Sequence, residues 1–266
     1  MNFLVLVKQV PDTEKVKIDP ISGTMVREGL DVTMNPLDSH ALELAVSLKE
    51  KLNGSVTVLS MGPMNTIDVL RDAIALGADR AILLSDSALA GSDTWATSLA
   101  LAKAIEKLNI AFDLMICGEK STDGETGQVG IELATLLDLP VVSYVSELID
   151  LTENFVVVKR SVEDAHEVWK APLPACLCVL KSVAEPRLPT LAGKKTAMDA
   201  KIEIYDTESI GINREEVGLK GSPTRVVKVF NTKIARNCRI YADKDILEGI
   251  ERVVGLIKAV RDGEVG

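Results

Sequence analysis

Apolar residues in this chain fall into short runs that alternate with stretches of helical period. Phe3–Val7, Val56–Ser60, Ala81–Leu84 and Leu114–Cys117 read as strands buried on both faces. Between them, Ala41, Leu44, Ala45, Leu48 and Leu52 recur at helical spacing, opened by Asn35-Pro36 and stopped at Gly54. Ile67, Leu70 and Ile74 form a second stripe ending at Gly77. Trp95, Leu99, Ala102 and Ile105 form a third, with Ser92 or Asp93 as N-cap. Val129, Leu133, Leu136 and Leu137 mark a fourth. Pro140–Tyr144, Phe155–Val158 and Ala175–Leu180 are further strands, and Asp19–Asp31 (Pro20, Gly23, Gly29) reads as a turn or hairpin excursion.

Strand and helix alternating four times predict an α/β fold: a doubly wound, mainly parallel sheet with helices on both faces, Rossmann-like in adenine-nucleotide binding. The pattern weakens after about Lys181, where EPRLPTLAGKKTAM is broken by Pro and Gly and a polar region runs to about Asn237. The expected division is therefore an α/β domain over 1–185 and an extended C-terminal arm over 186–266. That arm is expected to wrap a partner and to end in a helix over Ile246–Val260, where Ile250, Val253, Val254 and Ile257 form an apolar face.

Right-handed crossovers bring all four strand-exit loops to one sheet edge, where such folds bind ligands. That edge collects Val7–Val10, Met61-Gly62-Pro63, Gly91–Thr97 and Gly118–Val129. The last of these, GEKSTDGETGQV, is a small-residue loop between a buried strand and a helix start, the arrangement that holds phosphates on backbone N–H groups. It matches neither the Walker pattern nor the strict dinucleotide fingerprint.

Composition narrows the picture. Apolar residues make up 47% of the 266 but aromatics only 3%, as in a core of Val, Leu, Ile and Ala. A formal net charge of −9 argues against nucleic acid as a partner. No apolar run reaches membrane-spanning length and the N-terminus does not read as a signal peptide, so the expected setting is the cytoplasm, away from any membrane. Four cysteines form no CxxC motif; Cys176 and Cys178 share a strand face and read as core or interface thiols. His40 and His166 make no metal site by spacing, and no metal is expected.

Several motifs occur in a fixed order: VLVKQVPDTEKVKIDPISGT from Val5, MNP at Met34–Pro36, SMGP at Ser60–Pro63, LGADRAILL at Leu76–Leu84, DGETGQ at Asp123–Gln128, VKRSVEDAHEVWKAPLPA from Val158 and EPRLPTL at Glu185–Leu191. In this combination, from Met1 to about Lys233, the chain resembles the beta subunit of electron transfer flavoproteins. Members pair with a larger alpha subunit and move electrons between dehydrogenases. Conventional members hold AMP in the beta subunit; members of the electron-bifurcating branch hold a second FAD there, its adenosine part in the AMP position. The GSDTWATS loop (Gly91–Ser98) and the VPDT near the N-terminus resemble the bifurcating branch.

That resemblance implies roles for particular residues. Val7 and Asn35 would contact the adenosine end, with Met61 beside it. Asp93, Thr94 and Thr97 would hold the diphosphate–ribityl region, and Asp123, Thr126, Gly127, Gln128 and Val129 the remaining phosphate and ribose contacts. Leu191 matches the leucine of the family's recognition loop, which inserts into a partner dehydrogenase; here the loop continues AGKKTAM where the family pattern is PNIMKAK. The implied function is hydride acceptance from NADH by FAD, with one electron passing to ferredoxin and the other, through the alpha-subunit FAD, to a flavin dehydrogenase of acyl-CoA or lactate type. No catalytic side chain is required of this chain, because the flavin carries the chemistry. Two alternatives stand beside this reading: a conventional AMP-binding beta subunit acting as a docking module, and an unrelated ATP-binding α/β protein. On sequence, Asp93, Thr94 and Asp123 also read as helix caps or turn residues; Lys8 could neutralise a phosphate but reads more readily as a solvated loop charge, and Trp95 reads as a packing residue more readily than as a flavin stacker.

Overall fold

A computed structural model describes residues 1–12, 32–225, 227 and 238–262. The turn expected over Asp19–Asp31 lies outside the described residues. The described part divides into two units, Met1–Arg225 and Val226–Gly266.

The first unit is built on a nine-stranded sheet. In chain order its strands are β1 (Asn2–Leu6), β4 (Ser55–Met61), β5 (Arg80–Leu84), β6 (Leu114–Gly118), β7 (Val141–Leu151), β8 (Phe155–Val162), β9 (Ala165–Pro172), β10 (Ala175–Val179) and β11 (Glu203–Tyr205). A separate antiparallel pair joins β2 (Gln9–Pro11) to β3 (Val32–Met34). The spatial order is β11-β5-β4-β1-β6-β10-β7-β8-β9. Pairing is parallel from β11 through β7, and β8 and β9 extend the sheet antiparallel. The expected doubly wound, mainly parallel sheet is the observed one.

Alternation along each strand sorts the core into two layers. Phe3 and Val5 of β1, Val56 and Val58 of β4, and Leu114 and Ile116 of β6 pack with the apolar stripes of α1 (Pro36–Leu52) and α2 (Thr66–Leu76). Leu4, Leu6, Leu59, Ile82, Met115 and Cys117 face the other way, onto α3 (Thr94–Lys107) and α4 (Val129–Leu136). Helices after β1 and β4 thus cover one face, and helices after β5 and β6 the other. β1 is flanked by β4 on one side and β6 on the other, so the chain reverses direction across the sheet at β1/β6. Loops leaving those two strands part there, and the sheet edge opens into a crevice.

The helix boundaries follow from their signals. Pro36 opens α1 behind Asn35, and Asn53 in the left-handed region ends it, one residue before the expected Gly54 stop. Gly77, at φ +124°, closes α2. Of the two expected caps for α3, Asp93 is the one used: its carboxylate accepts from the Ala96 N–H at 3.0 Å.

Elements after Lys181 are more ordered than the sequence pattern suggested. Leu191–Asp199 forms α5, capped by Thr190, and β11 adds to the sheet edge beside β5. A bidentate Arg80–Glu203 pair (2.7 and 2.8 Å) fixes that edge. Arg187 reaches back to Glu43 and Glu50 of α1 and clamps the segment before α5. Gly218–Gly221 forms the short α6. Residues 186–225 therefore pack into the first unit, and the second unit carries α7 (Ile246–Arg261), which fulfils the expected terminal helix. Among the described residues no helix is long and apolar enough to cross a membrane.

Candidate functional site

Three side chains tie the two walls of the β1/β6 crevice together. Asn35, fully buried at the start of α1, donates from Nδ2 to the Lys120 carbonyl at 2.9 Å and accepts the Thr122 N–H at Oδ1, 3.2 Å. Asp38, one turn further along α1, accepts the Lys8 N–H at 2.9 Å and the Gly118 N–H at 3.1 Å. Those amides are the first to emerge from β1 and end β6, so a single carboxylate spans the switch point. Lys8 closes the mouth: its Nζ lies 2.8 Å from both Asp123 carboxylate oxygens and 3.3 Å from Ser121 Oγ.

The electrostatics differ between the two carboxylates. Burial pushes Asp38 up from 3.8 to about 7, against the opposing hydrogen bonds from Asn35, Lys8 and Gly118. Burial acts on Asp123 in the same direction, but the bonds from Lys8 and Ser121 outweigh it and hold the carboxyl below its usual range.

The loop beyond Asp123 offers donors to a ligand. Thr126 and Gln128 are exposed, and Gly127 sits at φ +65°, where only glycine turns without strain. A Cβ on Gly127 would also stand 3.2 Å from the Glu119 carbonyl. Gln128 occupies the N-cap position of α4 yet makes no capping side-chain bond. The first amides of that helix are thus left for an external acceptor, which is the condition for binding a phosphate. Thr94 Oγ1 lies 3.1 Å from Glu132 Oε1 and 3.4 Å from Gln128 Oε1, joining the starts of α3 and α4.

Several expected contact residues prove to have internal partners. Asp93 is engaged on every side: besides capping α3, its carboxylate accepts from Thr224 N–H and Oγ1 at 2.9 and 2.8 Å, and its own N–H donates to Ser222 Oγ. Burial alone would raise its pKa, but these bonds together lower it. Val7 is buried and its N–H is spent on the Leu59 carbonyl, which leaves its carbonyl side for a ligand. Met61, at the end of β4, packs against both the α3/α4 layer and the cluster around Leu84. Thr97 lies half-buried one turn into α3, and Val129 is half-buried at the start of α4. The structure thus brings Asn35, Asp123 and the Thr126–Val129 turn together around the crevice, and links Thr94 to Gln128.

Sequence reasoning undervalued three features. Lys8 is an ion-paired cross-tie whose side chain stays about half exposed. Asp38 was hidden inside the polar gap of an amphipathic stripe. Ser222 and Thr224 meet Asp93 across about 130 residues, which no local signal announces. Trp95, read as a packing residue, is 43% exposed at the start of α3. His40 does pack, with Nδ1 at 2.6 Å from the Ala184 carbonyl. Leu191 is 87% exposed at the first position of α5, beside Leu188 at 88%. Both leucines point outward on a segment that Arg187 and the Thr190 cap hold in place.

Comparison with known proteins places this architecture. Residues 22–208 match the family model described as the electron transfer flavoprotein domain. The chain is 42% identical over 255 residues to the electron transfer flavoprotein subunit beta of Thermoanaerobacterium thermosaccharolyticum, covering 96% of each chain. It is 44% identical over 232 residues to the caffeyl-CoA reductase-Etf complex subunit CarD of Acetobacterium woodii, covering 87% of this chain and 88% of that one. Protein FixA of Azotobacter vinelandii is 39% identical over 238 residues, covering 88% of this chain and 85% of that one.

Proposed function

Since the chain belongs to the electron transfer flavoprotein family and aligns along nearly its whole length with beta subunits, we propose that it binds FAD in the β1/β6 crevice, accepts electrons from NADH and divides them between two acceptors. Membership removes the reading of an unrelated ATP-binding protein. The observation that carries the proposal is the uncapped α4 N-terminus facing a crevice whose walls are held by Asn35, Asp38 and the Lys8–Asp123 pair.

The residues present fit a dinucleotide. Phosphate oxygens would accept from the free amides at Val129–Gly130 and from Thr126, and the hydroxyls of Thr94 and Thr97, beside the Asp93 and Glu132 carboxylates, suit the hydroxyls of a ribityl chain. Asn35 and the Val7 carbonyl would meet the adenosine end. The Lys8–Asp123 pair already cancels its own charge, so the diphosphate is met by dipoles rather than by a bare cation. Asp93 fixes the first turn of α3 through Ala96 and Thr224, and the acceptor capacity left on its carboxylate would face the ribityl hydroxyls. When bound, FAD supplies hydride acceptance from NADH and one-electron release to ferredoxin and to the alpha-subunit FAD.

In this scheme the alpha subunit pairs with this chain and Leu188 and Leu191 dock a flavin dehydrogenase. CarD of Acetobacterium woodii is a subunit of a caffeyl-CoA reductase-Etf complex, which favours an acyl-CoA-type partner here over a lactate-type one. The assembly would work in the cytoplasm. Cofactor content of the purified heterodimer is the test. Two FAD per heterodimer, with ferredoxin reduced by NADH only when the second acceptor is present, is the expected result. One FAD and one AMP per heterodimer would overturn it in favour of a conventional docking subunit.

A further inference from the structure

Behind the phosphate loop lies a group of side chains that the flavin reading does not use. Cys117 near the end of β6 and Cys176 and Cys178 of β10 are buried, and their three sulfurs all lie within 4.8 Å of one another. Cys178 stands opposite Cys117 in the parallel register, with Sγ to Sγ at 3.7 Å, and Cys176 shares its face two residues away. That face is the one α4 covers. The approach is close: a Cβ on Gly130, in the first turn of α4, would stand 2.5 Å from Cys117 Sγ and 2.8 Å from Cys178 Sγ.

Three sulfurs placed about 2.3 Å from a common centre are separated by about 4 Å, a spacing the observed 3.7 to 4.8 Å range brackets. Their position under the N-terminal turn of α4 favours negative charge. The Cys117 Sγ–H points at Cys178 Sγ and the Cys176 Sγ–H at the Gly130 carbonyl, each at 3.7 Å. Among the described residues the group has no fourth His, Cys or carboxylate member, so a tetrahedral zinc site is incomplete. A thiolate-only set is soft, and cuprous copper is the soft ion that accepts three ligands.

We propose that Cys117, Cys176 and Cys178 form a buried three-sulfur binding site for a monovalent soft ion, cuprous copper. Thiol protons leave to solvent as Cu–S bonds form, and copper stays in its +1 state throughout, so no oxidant or reductant enters the step. The first turn of α4, which covers the sulfurs, follows the exposed Thr122–Thr126 stretch of the loop. The site stands independently of the flavin reading.

The test uses the full-length chain carrying Cys238→Ser, which removes the exposed thiol. Anaerobic titration with cuprous ion against bicinchoninate is expected to give one equivalent bound, with X-ray absorption at the copper edge showing three sulfur neighbours and no nitrogen or oxygen. Cys117→Ala and Cys176→Ala are each expected to weaken binding by more than the roughly 10–100-fold that follows loss of a mere outer partner of a metal ligand. Uptake below one equivalent, a two-sulfur or oxygen-containing environment, or Ala variants that bind like the parent would overturn the site. The absorption measurement needs no substitution in the core, so it decides even if those variants fail to fold.

Discussion

Replacing Asp38 with Asn isolates the charge that spans the switch point. The side chain is buried, accepts the Lys8 and Gly118 amides, and has its pKa raised from 3.8 to about 7 mainly by burial. A folded-state pKa above the unfolded one means the folded chain binds the extra proton between about pH 4 and pH 7. Stability is therefore fullest below pH 4 and declines as pH rises through 7. A shift of that size corresponds to about 4 kcal/mol between the acid and alkaline plateaus. Asn carries no such charge, but its amide nitrogen must face one of the two N–H donors, leaving it unsatisfied at a cost of about 1–3 kcal/mol. At pH 4 the variant is thus expected to be less stable than the parent by about 1–3 kcal/mol, and by pH 5, where about 1.6 kcal/mol of the parent's advantage is already lost, the two are expected to be close. At pH 8 the sign is expected to reverse, because the parent then bears the buried carboxylate. Urea unfolding of both chains at pH 4, 5, 6, 7 and 8 measures the difference directly, and other titrating groups cancel between the two proteins. A stability difference that stays flat to within about 1 kcal/mol across that range would refute the assignment of the buried charge to Asp38.

Further expectations test other parts of the same frame. Gly130→Ala should destabilise by about 1–3 kcal/mol in urea melts, because its methyl meets two sulfurs on a rigid strand pair. Asp86, fixed by the Ala88 amide, Thr207 and Arg214, has its carboxyl lowered to about 2; its contribution is present above the ordinary 3.8 and is lost as pH falls through 2, so Asp86→Asn should flatten acid unfolding in that window, read by circular dichroism. Arg187→Ala should cost about 1.5–3 kcal/mol by releasing the clamp on α1, measured by thermal melting. Leu191→Ala should leave the melting point within about 0.5 kcal/mol of the parent yet slow electron transfer to the dehydrogenase at least several-fold; unchanged transfer rates would remove Leu191 from the docking surface.

The strand-helix alternation was legible because each strand is buried on both faces and each helix on one, so hydrophobic period alone distinguishes them. Pro36, Gly77 and Asp93 marked boundaries that the backbone does use, since each residue's conformational or hydrogen-bonding limits act locally. β9 was missed for the complementary reason. Its residues are exposed except Ala171, so no alternation survives in AHEVWKAP, and its strand state comes from the ladder to β8. α5 was missed because Gly193 weakens its helix propensity. In the structure that glycine is needed: a Cβ there would stand 2.2 Å from the Ala75 carbonyl, so α5 can lie on the end of α2 only with no side chain at this position.

The site shows the same boundary between local and long-range information. Thr126, Gly127 and Gln128 announce themselves because a phosphate turn is made by consecutive residues. The walls that make the turn a site are pairings across sequence distance: Lys8 with Asp123, Asn35 with Lys120 and Thr122, Asp38 with Lys8 and Gly118. In each pair one partner looks ordinary by itself, since a Lys after a strand or an Asp in a first helical turn has a sufficient local explanation. Only the β4-β1-β6 order brings them within bonding distance, and that order is set by which strands share a buried face. Asp93 combines the two kinds. Its local signal as a cap was correct, and the structure adds Thr224 to the same carboxylate, a partner about 130 residues away that no local pattern announces.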